Sequence, residues 1–182
     1  MNSSLCSSTR DLSTKPDLLP HLLVVGHVTL DLVKGDRVPG SGTLYASLAA
    51  TRLGMRVALL TQGAPLQTRN YLFELAWVVD IPSPVTTTFE NLYTPKGREQ
   101  IVHQVTPPIE PGHVPKELRE CPMALLAPVA RELDPSLALS FPHSLLAMSP
   151  QGWLRRWDSS GRVSPAPWHG PGESTGTRLL VV

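Results

Sequence analysis

An α/β fold is predicted: a parallel sheet with flanking helices, plus a small antiparallel β element. Three observations predict it. Leu22–Val25 ("LLVV") and Arg56–Thr61 ("RVALLT") are apolar runs rich in branched residues, the pattern of strands buried on both faces. Between them, Leu44–Leu53 is rich in small residues, and strand, crossover helix, strand is the unit of a parallel sheet. Further on, Thr86–Thr94 and Arg98–Val105 flank the turn signal "PKG" (Pro95–Gly97) and read as an antiparallel hairpin with one wet face.

The elements follow in order. Met1–Pro16 is Ser/Thr-rich, lacks the apolar core of a signal peptide and reads as a disordered tail. After the first strand, Asp31 is expected just beyond the strand end, and Val33–Pro39 is polar and turn-rich. Thr43 is placed to cap the helix and Gly54 to stop it. Leu66–Ala76 is moderately helical, and Trp77–Ile81 reads as a short strand. A two-stranded ribbon alone is marginal, so the hairpin must cover something or pair with another edge. After "TPPIEPGHVP" the α/β rhythm resumes. Pro115–Glu120 starts like a helix with Pro at its first position. Met123–Pro128 and Leu145–Pro150 are strands, with a short helix at Pro135–Phe141 between them. A turn at Asp158–Gly161 separates Trp157 from Arg162–Val163, and Leu179–Val182 reads as a last strand.

Composition narrows the function classes. The 182 residues fit one domain, and 41% hydrophobic with 17% charged residues allow a packed core. A net charge of +1 gives no electrostatic reason to expect a nucleic-acid partner. Nineteen prolines require frequent turns. Cys6 and Cys121 are far apart, so neither a disulfide framework nor a zinc site is expected, and a cytoplasmic location is the default. "LLVVGHVTLDLV" is interrupted by His27, Thr29 and Asp31 and is too short and polar to span a bilayer.

Three groups of residues stand out. "GSG" (Gly40–Gly42) before a helix start presents backbone N–H groups, with Ser41, Gly42 and Thr43 in reach of an anion or hydroxyl. Its spacing matches neither GxxxxGK[ST] nor GxGxxG after a strand, and taken alone it is a turn that starts a helix. Asp31 lies where open α/β sheets bind ligands, and a carboxylate there can accept bonds from two hydroxyls. The plain alternative is a solvated loop aspartate. In the hairpin, Thr86, Thr87, Thr88 and Asn91 can bond hydroxyls, and Phe89 can cover a ring. Such residues are also ordinary strand composition. The six histidines show no ligand spacing, and no GxSxG elbow is present. Trp153, Trp157 and Trp168 around Arg155 and Arg156 read as a packed corner rather than a base-stacking site.

The order of the pieces is more specific than any one of them. "LLVVGHVTLDLV", then "PGSGTLYASLAATRLGMRVALLT", then "SPVTTTFENLYTPKGREQ" resembles the N-terminal, substrate-binding part of the ribokinase/PfkB carbohydrate kinases. The resemblance covers about Asp17 to Trp168. It implies a ribokinase-like domain over residues 17–182, incomplete, with residues 77–105 as a β lid. It makes Asp31 the substrate-binding aspartate, Ser41–Gly42 the counterpart of the family's Gly-Gly pair, and Arg52-Leu53-Gly54 the end of the helix that follows. Ser41, Gly42, Thr43, Thr87, Phe89 and Asn91 would then join Asp31 around a sugar, polyol or nucleoside. Tyr45 stands about where ribokinases proper carry a sugar-contacting Asn, which argues against ribose.

ATP and Mg²⁺ are the family's cofactors. Its second signature, a Gly-Ala-Gly-Asp motif carrying the general base and an anion cradle, is absent from these residues. Of Asp11, Asp17, Asp31, Asp36, Asp80, Asp134 and Asp158, only Asp36 follows a glycine, and "KGDRVPG" opens no helix. No catalytic residue is therefore assigned, and the chain is expected to be inactive alone. The alternative is a non-catalytic module that forms a homodimer through the lid. A dinucleotide oxidoreductase is disfavoured by the missing GxGxxG.

Overall fold

The protein is described from a computed structural model, which covers residues 15–63, 72, 75, 77–168 and 179–180. Two sheets organise the described residues. The central sheet contains β1 (Leu22–Val25), β4 (Val57–Gly63), β5 (Trp77–Pro82), β8 (Met123–Leu126), β9 (Leu145–Met148) and β12 (Leu179–Leu180). All its pairings are parallel, in the order β12-β9-β8-β1-β4-β5. The second sheet contains β2 (Thr29–Val33), β3 (Asp36–Gly40), β6 (Thr88–Thr94) and β7 (Gly97–Gln104), ordered β3-β2-β6-β7. A short hairpin, β10 (Arg155–Trp157) and β11 (Val163–Pro165), completes the set.

The apolar strands run as the sequence predicts, because alternate side chains enter two separate cores. Leu23, Val25, Ala58, Leu60, Ala124, Leu126, Leu146 and Met148 face one side, against Ile109, Leu118, Leu133, Leu137, Phe141 and Trp153. Val24, Val57, Leu59 and Val78 face the other, with Leu44 and Ala50 of helix α1 (Gly42–Arg52) and with Leu72 and Leu75. The helix start expected at Pro115–Glu120 and the short helix expected at Pro135–Phe141 are 3-10 helices, over Lys116–Glu120 and Pro135–Ser140. The proposed tail lies outside the described residues except for Lys15 and Pro16. The helical expectation for Leu66–Ala76 does so too, apart from Leu72 and Leu75.

Three expectations are corrected. First, Val33–Pro39 is not a loop. Lys34 and Gly35 take φ of 51° and 92°, the two positive values of a type I′ turn, and fold β2 onto β3 in register. A lysine rather than Asn or Gly at the first turn position hid the hairpin. Second, Trp77–Ile81 belongs to the central sheet, parallel to β4, and not to the lid. Buried Trp77 and Val78 bring it into the core. Third, the α1 cap is Ser41, whose Oγ accepts from the Leu44 N–H at 3.1 Å. Thr43 lies inside the first turn and donates instead to the Ala127 carbonyl at 2.9 Å. Gly54, at φ 85°, does end the helix.

The small sheet is entered twice from the central one, at the C-terminal ends of β1 and β5. A carboxylate holds this junction. Glu132 is 2% exposed. Its Oε1 accepts from the His27 N–H (3.0 Å) and Val129 N–H (3.0 Å), and its Oε2 from Val129 (3.0 Å) and Ala130 (2.7 Å). Arg131, at φ 60°, turns the chain so that the carboxylate folds back over its own approach. The ends of β1 and β8 are thereby tied together just past their last paired residues.

His27 sits in the same junction, fully buried. Its Nδ1 is 2.8 Å from the Thr87 hydroxyl, which accepts from the Thr106 N–H at 3.0 Å. Nε2 has no hydrogen-bond partner. Burial, partly offset by Glu132, pushes the imidazole below its usual pKa.

A carboxylate is acceptor-only, whereas an amide must turn its NH₂ toward one of these donors. Bonds to a charged acceptor contribute about 1.5–3 kcal/mol each. Glu132→Gln is expected to destabilise the fold by about 2–3 kcal/mol, lowering the thermal midpoint by roughly 5–10 °C. A circular-dichroism melt checks this, and an unchanged midpoint refutes the clamp.

Candidate functional site

Asp31 is the third residue of β2, paired with Val38 on β3 and with Phe89 on β6. It is thus a strand residue of the small sheet, not a loop residue beyond β1. A strand places its side chain on one face, fixed in register. That face looks back at the start of α1. A Cβ added to Gly40 would lie 2.7 Å from the Asp31 Oδ2 and 3.2 Å from its Cγ. The carboxylate therefore rests on bare glycine backbone. It is half-buried, and burial raises its pKa against the opposing pull of the Arg98 and Arg155 guanidiniums.

The other proposed site residues fall into two sets. Phe89 lies beside Asp31 across the β2–β6 pair, buried against Val102, Val129 and Ala130. Asn91 lies two residues further along β6. Its Oδ1 accepts from Arg98 Nε (3.0 Å), Arg98 Nη2 (2.6 Å) and Gln100 Nε2 (2.9 Å), so it orients Arg98. Ser41 follows Gly40, and Gly42 is exposed at the start of α1 with open space around it. Of these, Phe89 stands directly beside Asp31. Thr43 and Thr87 are fully buried, with hydroxyls engaged by Ala127 and by His27 and Thr106.

Ser41 carries an unusual backbone, φ 109° and ψ 153°. That region is essentially reserved for glycine and costs a side-chain-bearing residue about 1–3 kcal/mol. Its capping bond offsets only a few tenths relative to glycine.

Sequence reasoning missed three arginines. Arg155, on β10, donates from Nη1 to the Val129 carbonyl at 2.9 Å and lies 5.4 Å above the Phe89 ring centre. The tryptophan corner does form, as Trp153 and Trp168 stack at 4.9 Å and Trp153 Nε1 donates to the Leu133 carbonyl. Arg155 leaves it for the small sheet. Arg162 reaches Glu99 Oε2 at 2.9 Å, because the turn after β10 docks on β7: the Val102 N–H donates to the Gly161 carbonyl, and Ile101 bridges to Arg162. Alternation along β7 puts Arg98 and Gln100 on one face and was a readable signal. Nothing in the sequence placed Arg155 or Arg162 there.

No three His, Cys, Asp or Glu side chains gather to hold a metal ion among the described residues. No helix among them is long and apolar enough to cross a membrane.

No family model matches the sequence, and no curated protein matches it. Solved structures do match the fold. A pyrophosphate-dependent kinase in the ribokinase family, solved as a sulfate complex, superposes with a TM-score of 0.66 at 21% identity, over 81% of this chain and 56% of that one. The same kind of enzyme, complexed with a pyrophosphate analog and myo-inositol, gives 0.66 at 21% over 79% and 54%. Arabidopsis thaliana ribokinase, complexed with ribose and ATP, gives 0.51 at 13% over 72% and 54%. The chain has the ribokinase-like fold and spans about half the length of these proteins. The resemblance drawn from the sequence holds at the level of fold.

Two outcomes test the site. Ser41→Gly is expected to raise the thermal midpoint by a few degrees, since released strain exceeds the lost cap. Gly40→Ala is expected to push the Asp31 carboxylate outward with little loss of fold. Its pKa, raised in the native chain, should then fall back toward the usual value in a carboxyl-carbon NMR titration. The sign follows from linkage. A raised native pKa means that stability declines as pH rises through the window above 3.8, and Gly40→Ala flattens that decline.

Proposed function

We propose that this chain binds a small polyhydroxylated molecule (a sugar, polyol or nucleoside), with Asp31 accepting from two of its hydroxyls. The observation that carries the reading is the Asp31 carboxylate, half-buried, seated on Gly40 and fixed in β-register beside Phe89. Such a group is oriented, partly dehydrated and still reachable. Hydrogen bonds to a charged acceptor gain strength under those conditions. Phe89 stands beside the acid, and Gly40, on which it rests, leads directly into the helix start at Ser41–Gly42.

Phosphoryl transfer relies on positioning and on stabilising the charge of the moving group. The 182 residues carry no Gly-Ala-Gly-Asp motif, so a base and an anion cradle are not assigned to them. The chain then acts as an acceptor-binding unit, and ATP-dependent phosphorylation is not expected of it alone.

A second reading, self-association through the small sheet, is favoured by one observation. β3 is an edge strand of that sheet, its Val38 is exposed, and so is Val33 at the end of β2 beside the β2–β3 turn. Size-exclusion mass separates it, since a dimer indifferent to every polyol supports it over the first.

Calorimetric titration with myo-inositol, ribose and adenosine tests the main reading. At least one is expected to bind, with Asp31→Ala weakening it by about ten- to a hundredfold, the loss of a charge-assisted bond. Binding that is indifferent to Asp31→Ala, or ADP release from ATP with any of the three, defeats it.

A further inference from the structure

Of the described histidines, His27 alone is buried, at 0% exposure. It stands in the first passage between the sheets, after β1 ends at Val25 and before β2 begins at Thr29. Its ring reaches the second passage, where Thr87 lies between β5 and β6. The binding function proposed above uses none of this chemistry.

The hydrogens of this seam can be assigned. Thr106 Oγ1 donates its one hydrogen to the Val85 carbonyl (3.3 Å) and accepts from the Thr87 N–H (2.9 Å). Thr87 Oγ1 accepts from the Thr106 N–H (3.0 Å). It also lies 3.1 Å from the Thr106 hydroxyl and 2.8 Å from His27 Nδ1. The Thr87 hydrogen therefore goes either to Thr106 Oγ1 or to Nδ1. In the second case the ring's own hydrogen would sit on Nε2, which has no partner. A buried N–H without an acceptor is the costlier orphan, so the hydrogen belongs on Nδ1 and is donated to Thr87. The donors then run from His27 to Thr87, to Thr106 and to the Val85 carbonyl, all of them neutral. Nε2 keeps a bare lone pair.

A further proton has only Nε2 to occupy. There it makes a buried cation whose new N–H meets no acceptor. Thr87 and Thr106 face the ring with uncharged hydroxyls. The charged group acting on it is Glu132, from the loop after β8. Glu132 already spends both oxygens on three N–H groups and also acts on the Arg155 guanidinium of β10. Burial outweighs its pull and keeps the imidazole below its ordinary pKa. A proton on the ring is solvated once the ring leaves the seam, and that parts the two passages. The small sheet then keeps the apolar contact of Phe89 and Val102 with Val129 and Ala130.

We propose that His27 is a proton-operated latch. Neutral, it locks the small sheet, and Asp31 with it, onto the central sheet; protonated in mildly acidic solution, it releases the small sheet while the central sheet stays folded.

The released form takes up a proton that the locked form refuses. The locked form therefore loses ground as pH falls below the ordinary histidine value of 6.5, by up to about tenfold per pH unit. Neighbouring titrations act the other way. The raised pKa of Asp31 favours the locked form as pH falls. His103 of β7, 2.9 Å from Glu90, gains an ion pair when protonated and so tightens the small sheet.

The test is hydrogen–deuterium exchange of the full 182-residue chain from about pH 7.5 down to about pH 5, above the ordinary carboxylate range, corrected for the intrinsic pH dependence of exchange. Peptides within Thr86–Thr106 are expected to lose protection at least tenfold relative to peptides covering Leu22–Val25 and Val57–Gly63. His27→Asn offers an amide N–H in place of Nδ1–H and cannot be charged, so it should reduce that change to less than about twofold. A circular-dichroism melt shows whether this variant folds. The unsubstituted chain gives a second check: in an NMR titration, the His27 ring should gain its proton in step with shifts of the Thr87 and Thr106 amides.

Equal loss of protection in both sheets overturns the latch, because the proton is then linked to global unfolding. So does protection that does not change with pH, a small-sheet loss that persists in folded His27→Asn, or a His27 titration that leaves the Thr87 and Thr106 amides unmoved. None of these readouts depends on whether a polyol binds, so the latch and the polyol reading fail separately.

Discussion

The buried carboxylate of Glu132 is the constraint on which the arrangement rests. Where β1 and β8 leave the central sheet, their N–H groups lose strand partners, and a buried N–H without an acceptor costs about 1–3 kcal/mol. Glu132 gathers three of them, at His27, Val129 and Ala130. Its own backbone also receives the Ile109 N–H. From that knot the chain departs in two directions. One passes through His27 into β2 and so to Asp31; the other passes through Val129, whose carbonyl receives Arg155. The acid and the base of the candidate site are thus positioned from the two sides of one clamp.

The small sheet gains its stability from this attachment. Four short strands with several exposed apolar residues bury little by themselves. Phe89 and Val102 obtain their core from Val129 and Ala130, which belong to the other sheet's exit loop. The Thr87–Thr106–His27 bonds add a polar seam a few residues away. Apolar and polar contacts at the same boundary make the two sheets one packed body in which the position of Asp31 is set by the central sheet.

Legibility in the sequence followed the strength of the local signal. β1, β4, β8 and β9 are apolar and flanked by breakers, so they lie within a few residues of where the pattern put them. The β6–β7 hairpin announced itself through "PKG" and its alternation. The β2–β3 hairpin did not, because Lys34 gives no turn signal and Val38-Pro39 reads as irregular. Trp77–Pro82 was recognisable as a strand, but which sheet it joins is a matter of long-range pairing that no local pattern encodes. The site was legible in the same proportion. Asp31 and Phe89 could be named, since a ligand-binding acid and a ring are distinctive at a sheet end. Arg155 and Arg162 arrive from about sixty residues further along the chain, through docking of a turn on β7. Thr43 and Thr87 were chemically suitable but are drawn into the interior, where packing uses their hydroxyls.

The seat of Asp31 on Gly40 has an evolutionary reading. One residue supplies a side chain, and the other makes room by having none, so the two positions form a single unit of inheritance. A side chain at 40 would displace the Asp31 carboxylate from its seat, so selection for the acid in that seat disfavours one there. Among distant relatives, loss of the acid would release the glycine to drift, whereas a chain that uses the acid in this seat gains by keeping the gap beside it. A coupled pattern of Asp with Gly nine positions later, or neither, is therefore the trace this contact would leave across sequences too diverged for the rest of the site to be aligned.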